Sequence, residues 1–255
     1  MKAWQIFTHS LRQVTGNLES AMKISLIPML IQIAAALVLL GGSVYVQPAE
    51  MMRQPGALAS NGGALLIVSI VGVATGMWMA VNWHRFVLLG EMPQGYVSAL
   101  PSDKIWAYFR RMVVAILIIF LAALPFGALH LFVTLTFLRE LGESARAITF
   151  ALIVFLPMGL LAYRLMISLP GAALGSETVL MAGWNATRDE NATIFLLALI
   201  SVAANLVLGV VGGLLSVIPV LGIGIGFLSQ WLATMVGLSI LTTLYGHYVE
   251  GRALS

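Results

Sequence analysis

Six apolar runs alternate with polar connections along the chain, at residues 24–46, 64–89, 112–138, 147–169, 193–217 and 220–248. Crossing about 30 Å of hydrocarbon takes about 20 helical residues, so each run predicts a transmembrane helix. The runs are too long and too continuously apolar for the strands of a membrane barrel, which are shorter and alternate. Three connections are short or rich in turn residues: 47–63, with Pro48, Pro55 and Asn61-Gly62-Gly63; 139–146; and 218–222 around Pro219. They pair the spans as three hairpins. The segments at the other end carry apolar residues at helical spacing. In the first, Trp4, Phe7, Leu11 and Val14 recur at steps of three or four, which predicts an amphipathic helix over 3–17 with one face along the membrane surface. Similar surface helices are expected at 103–110 and 177–191. The expected fold is thus all-α membrane: a single domain over 1–255, with six transmembrane helices as three hairpins plus cytoplasmic amphipathic surface helices. The order of surface helix and hairpin suggests a threefold internal repeat, which identities alone leave open.

Composition agrees with this pattern. The 255 residues are 60% hydrophobic and 9% charged, against about a quarter charged in soluble domains. All ten Asp and Glu residues fall between the apolar runs. The cations orient the chain. Lys2, Arg12, Lys23, Arg85, Lys104, Arg110, Arg111, Arg164, Arg188 and Arg252 lie at the end that carries both termini, and only Arg53, Arg139 and Arg146 lie at the other. By the positive-inside rule both termini are expected in the cytoplasm. The first apolar run follows a polar, helix-compatible stretch and outlasts a signal-peptide core, so it is expected to remain a span. The net charge of +3 does not indicate nucleic acid, because the cations are scattered singly near span ends. The absence of cysteine removes disulfides, thiolate metal sites and cysteine nucleophiles.

The candidate chemistry is sparse. Arg164 lies in an apolar stretch, where a charge at the membrane centre would cost about 2.5–3.5 kcal/mol. It therefore belongs at the interface, snorkelling to phosphates, capping neighbouring helix C-termini or binding an anionic headgroup. With Arg85, Lys104, Arg110 and Arg111 it forms the candidate lipid-headgroup site, a basic rim suited to acidic lipid. Trp4, Trp83, Trp106 and Trp184 are candidate interface anchors. Gly72 with Gly76, and Gly209 with Gly213, stand at the four-residue spacing that permits close helix packing. Pro28, Pro125 and Pro157 are expected to kink their spans. His9, His84, His130 and His247 show no metal-ligand spacing, and His130 is expected to hydrogen-bond across a helix interface. The span centres hold neutral polar residues, Gln32, Thr134, Asn205, Thr234 and Ser239, rather than the ionisable groups that proton relays and catalysis require.

Tyr163-Arg164-Leu165-Met166-Ile167-Ser168-Leu169-Pro170-Gly171-Ala172-Ala173-Leu174, followed by Glu177, Leu180 and Ala182-Gly183-Trp184-Asn185-Ala186-Thr187-Arg188-Asp189-Glu190-Asn191, carries a resemblance. It resembles the YciC-type inner-membrane proteins and the membrane domain attached to some glycerophosphodiester phosphodiesterases. These leave a span with an Arg and a Pro, then run a short amphipathic helix with an aromatic-x-x-Thr-basic signature into the fifth of six spans. The likeness covers about 30 residues, and the Leu-Tyr ending of the last span fits it. The chain departs in having Asp189-Glu190 where a Gly is common, and its 255 residues include no phosphodiesterase domain, so hydrolase activity is not carried over. The resemblance implies architecture: six spans with cytoplasmic surface helices.

The expected protein is a non-catalytic, multi-pass component of the bacterial inner membrane, without metal or cofactor and with no nucleic-acid partner. It would act structurally, in assembly or in organising lipid. Its apolar faces must meet lipids, a membrane-protein partner or further copies of the chain. The alternative is a permease or channel for a small solute, with a wet midplane cavity at Asn205, Gln32 or Thr134. An enzyme, third in order, would need His84, Asp189 and Glu190 to share a pocket.

Overall fold

The computed structural model describes residues 1–41, 55–137, 142–176, 180–215 and 219–254. Helix α1 is Lys2–Thr15, α2 Leu18–Leu40, α3 Pro55–Leu89 and α4 Ser102–Phe137. Helix α5, Glu143–Phe150, continues through a π-helical turn, Ala151–Phe155, into α6, Leu156–Met166. Two short helices follow, α7 at Leu169–Leu174 and α8 at Ala182–Ala186. The last two are α9, Asn191–Leu215, and α10, Pro219–Leu244, which ends in a π-helical turn at Tyr245–Val249.

Six helical stretches are long and apolar enough to cross a membrane: Leu18–Leu40, Asn61–Leu89, Ser102–Phe137, Ala145–Leu174, Asn191–Gly212 and Gly224–Val249. They match the six runs in number and order. They pack as hairpins, α2 on α3, α4 on α5 and α6, and α9 on α10, with α10 also against α3 and α6 against α9. Pro28 and Pro125, expected to kink their spans, lie inside uninterrupted helix, whereas the π turn ends at Phe155, two residues before Pro157. The Asn61-Gly62-Gly63 turn expected between the first two spans is instead helical, within α3. Residues 55–60 are likewise helical within α3, 143–146 open α5, and 219–222, part of the expected tight turn, open α10; 47–54, 139–141 and 218 lie outside the described residues.

The surface helices depart from expectation. Residues 103–110 are the first turns of α4, not a separate element, because no Gly or Pro interrupts the chain before the span. At 1.5 Å per residue the 36-residue helix is about 54 Å long, well beyond the hydrocarbon thickness. In 177–191 the described helix is only the five residues of α8. Among the described residues, the repeating unit of one surface helix and one hairpin is therefore present once, at the N-terminus.

The tightest packing lies at the end that carries both termini, where Ile6, Ile24, Trp83, Ile167, Leu197 and Leu244 are fully buried. Farther along the spans, Leu121, Phe132, Leu135, Leu206, Val210 and Leu214 are exposed, as suits surfaces bathed in hydrocarbon. Because lipid tails are as apolar as leucine, close packing and interhelical hydrogen bonds hold the spans together. Helix α10 supplies a row of these bonds. Trp231 Nε1 donates to Ser25 Oγ on α2 at 2.7 Å, and Trp83 Nε1 on α3 donates to Ser239 Oγ at 2.9 Å. Thr242 spends its proton on the Leu238 carbonyl at 2.7 Å, so its oxygen accepts from His84 Nδ1 at 2.8 Å. His84 Nε2 is then left to accept from the Tyr108 hydroxyl of α4, at 3.5 Å. By the same count Ser10 Oγ of α1 donates to the Ile6 carbonyl and pairs with Thr243 Oγ1 at 2.9 Å.

Candidate functional site

The basic rim is spent largely on the protein itself. Helix α7 is buried against α3 and α4, and the carbonyls around it lack helical partners because the helix is short and broken on both sides. Arginines fill that need. Arg85 binds Glu91 through both carboxylate oxygens and donates to the Ala173 carbonyl at 2.9 Å. Arg111 donates to the Ser168 carbonyl at 2.8 Å and the Ser176 carbonyl at 3.4 Å. Arg164, 8% exposed, donates to the Thr187 carbonyl at 3.0 Å and to Asn191 Oδ1, with its guanidinium 4.9 Å from the Trp184 ring centroid. Lys104 pairs with Asp103 at 3.1 Å, and Arg110 is exposed with no hydrogen-bonded partner among the described residues.

The other predicted residues divide. Trp4 and Trp106 are exposed, as anchors require. Trp184 stacks on Arg164, and Trp83 is wholly buried, so its ring serves the α3–α10 contact and not the interface. A methyl group on Gly72, Gly76 or Gly209 would meet nothing within 4 Å, so these do not mark close helix crossings; Gly213 lies outside the described side chains. The close approaches are at glycines without the spacing signal. At Gly183 an added Cβ would lie 2.5 Å from the Arg164 carbonyl oxygen, and at Gly171 it would lie 3.0 Å from the Tyr245 ring. His130 does not bridge through Nδ1: that atom is buried without a partner, and the ring packs edge-on against Phe150 at 5.3 Å.

The midplane polar residues do not converge. Gln32 donates to Thr75 at 2.6 Å between α2 and α3, Asn205 donates to the Ser201 carbonyl within α9, and Thr134 is on α4. His84 is likewise apart from Glu190, which binds Lys2 at 2.5 Å. Glu190 also accepts from Thr193 Oγ1 at 2.7 Å and sits at the positive N-terminal end of α9. The Lys2 hydrogen bond holds the Glu190 carboxyl below its ordinary range, and the same bond raises Lys2. Glu190 thus supplies an anchor for α1.

Helix α1 organises the most site-like region. Its underside, Ala3, Ile6, Ser10 and Val14, is buried against α9 and α10. Ala3, Ile6 and Ser10 escaped the apolar pattern because Ala3 and Ser10 are small and one is polar, whereas Val14, which the pattern placed along the membrane surface, is buried with them. Trp4, Phe7 and Leu11, which the pattern assigned to the membrane surface, instead flank that contact and wall a groove of about 540 Å³. Its other walls are α9 and α10, through residues such as Ala204, Leu208, Leu232 and Val236. Tyr163, Ser201 and Asn205 are the polar groups along it, and the same three line a second groove of about 680 Å³ between α6 and α9. On the opposite flank of α1, His9 and Gln13 border a smaller polar pocket of about 230 Å³ with Thr243, His247 and Arg252. His9 and His247 stand 238 positions apart in the chain, so sequence spacing gave no sign of their meeting.

Comparison with known proteins found no match to the chain among family models, curated proteins or solved structures.

Proposed function

We propose that this chain is a non-catalytic protein of the bacterial inner membrane, with both termini cytoplasmic, which works by holding and organising lipid along its spans. The groove walled by α1, α9 and α10 carries the reading. It is lined almost wholly by apolar side chains, and two of its walls are helices apolar enough to cross a membrane, so an acyl chain matches it in polarity. Exposed Trp4 at its edge suits the headgroup layer. The basic residues fit this reading in a smaller role: Arg85, Arg111 and Arg164 brace the α7 to α9 segment, leaving Arg110 outward for acidic lipid. The YciC-type resemblance supports the architecture and adds no activity.

The absence of cysteine makes the test direct, because Ala204→Cys carries the chain's sole thiol. A photoactivatable thiol-linked probe at this groove residue, in membranes, is expected to form phospholipid adducts detectable by mass. Ready labelling by a charged, water-soluble thiol reagent would mean a wet path beside Asn205, which would replace the lipid reading with the permease.

A further inference from the structure

The polar pocket on the other flank of α1 has its own chemistry. Four separate parts of the chain meet there: α1, the end of α3, the π turn after α10, and the C-terminal residues that fold back under Gly251. A Gly251 φ of +72° permits that reversal, and Arg252 then fixes it by donating from one terminal nitrogen to the Leu88 carbonyl at 2.8 Å. Its Nε donates to Glu250 at 2.6 Å. A guanidinium has five N–H groups, so these two bonds set its plane and leave the rest of the fork for the pocket it borders.

The other polar groups are held by neighbours of their own. Gln13 Nε2 lies 3.0 Å from His9 Nε2 and Gln13 Oε1 lies 3.4 Å from Thr243 Oγ1, and an amide nitrogen has a second N–H beyond one such pairing. His247 Nδ1 donates to the Arg252 carbonyl at 2.8 Å, which leaves Nε2 to pair with an acidic hydroxyl or, when protonated, to donate. Among the described residues no Asp or Glu lines the pocket, and Glu250 is engaged on Arg252 Nε. A cavity bordered by a fork of N–H groups, an amide donor and the His247 imidazole, without an acid in its wall, matches a compact tetrahedral oxyanion.

We infer that this pocket is a binding site for a phosphate group, with Arg252, Gln13 and His247 as its ligands. The site stands independently of the apolar groove, from which the body of α1 separates it. A phosphomonoester headgroup and a free phosphate present the same chemistry, and the lipid composition around the protein distinguishes them.

The test uses the full-length protein in phosphatidylcholine nanodiscs and phosphate-free buffer, with inorganic phosphate titrated and followed by phosphorus NMR. Saturable binding is expected, with sulfate competing and chloride not. Arg252→Lys keeps the charge but loses the fork, and should weaken binding at least about ten-fold. Glu250→Gln removes the competing carboxylate and should tighten it several-fold. Gln13→Leu, remote from the Arg252 bonds that hold the C-terminal segment, should weaken binding even where Arg252→Lys disturbs folding. Discs doped with phosphatidic acid identify the source: loss of the phosphate titration, with lipid retained by the wild type and released by Gln13→Leu, assigns a headgroup. An unchanged titration assigns a free phosphate. Folded wild type that neither binds inorganic phosphate saturably nor retains phosphatidic acid overturns the inference, as does binding by Gln13→Leu and Arg252→Lys that equals the wild type's.

Discussion

Replacing Arg164 by alanine separates two roles that sequence alone leaves together, an internal brace and an exposed headgroup ligand. The side chain is buried, and its guanidinium holds the Thr187 carbonyl, the Asn191 amide oxygen and the face of Trp184. Hydrogen bonds to a charged group contribute about 1.5–3 kcal/mol each, and a desolvated cation–π contact about 2 kcal/mol. The denatured state within a membrane or micelle recovers part of this by finding other partners. The expected loss is therefore about 3–4 kcal/mol for Arg164→Ala, and about half for Arg164→Lys, which keeps a cation but loses the planar guanidinium that lies over the Trp184 ring. Reversible unfolding in mixed micelles, without added lipid, measures the difference. Limited trypsin digestion adds a local readout, because exposed Arg188 lies in the segment that Arg164 holds, and cleavage after it should accelerate in the alanine variant. A stability change below about 1 kcal/mol with cleavage at Arg188 unaltered would refute the bracing argument and return Arg164 to the lipid.

Three further outcomes follow from the same contacts. Gly183→Ala drives a Cβ into the Arg164 carbonyl oxygen at 2.5 Å and the Ile167 Cβ at 2.7 Å, so it should cost about 1–3 kcal/mol in unfolding measurements; Gly72→Ala, which meets nothing, should be neutral or stabilise by up to about 1 kcal/mol. Trp83→Phe should cost about 1–2 kcal/mol because it leaves buried Ser239 without its donor, whereas Trp4→Phe should change stability by less than about 0.5 kcal/mol. The Lys2–Glu190 pair should make the melting temperature depend on pH. Glu190 is held below its unfolded value, so its contribution is complete above the ordinary carboxylate range and fades as pH falls through the lowered value. Lys2 is raised, so its contribution is complete below about pH 10 and fades at still higher pH. Both residues are partly exposed, so the effect should be small; Glu190→Gln should flatten the acid side, and a wild-type profile identical to that of Glu190→Gln would rule out the coupling.

The sequence by itself determined the six spans, their order and their pairing. Backbone polar groups in hydrocarbon must be satisfied within the segment, so a long apolar run has only one stable form, and its length can be counted directly. Tertiary structure decided what happens at the end carrying both termini. Whether Arg164 faces a phospholipid or the Thr187 carbonyl depends on how the broken segment after α6 folds back, and a free carbonyl leaves no mark in the side-chain pattern. The same holds for Gly183, whose importance comes from a backbone oxygen 19 positions earlier in the chain. Trp83 reads as an anchor by position and becomes core only because Ser239 of α10 stands opposite it. The polar pocket is the extreme case. Its residues come from the first and last turns of the chain, where no local periodicity links His9 to His247 and Arg252, and only the docking of α1 on α10 brings them together.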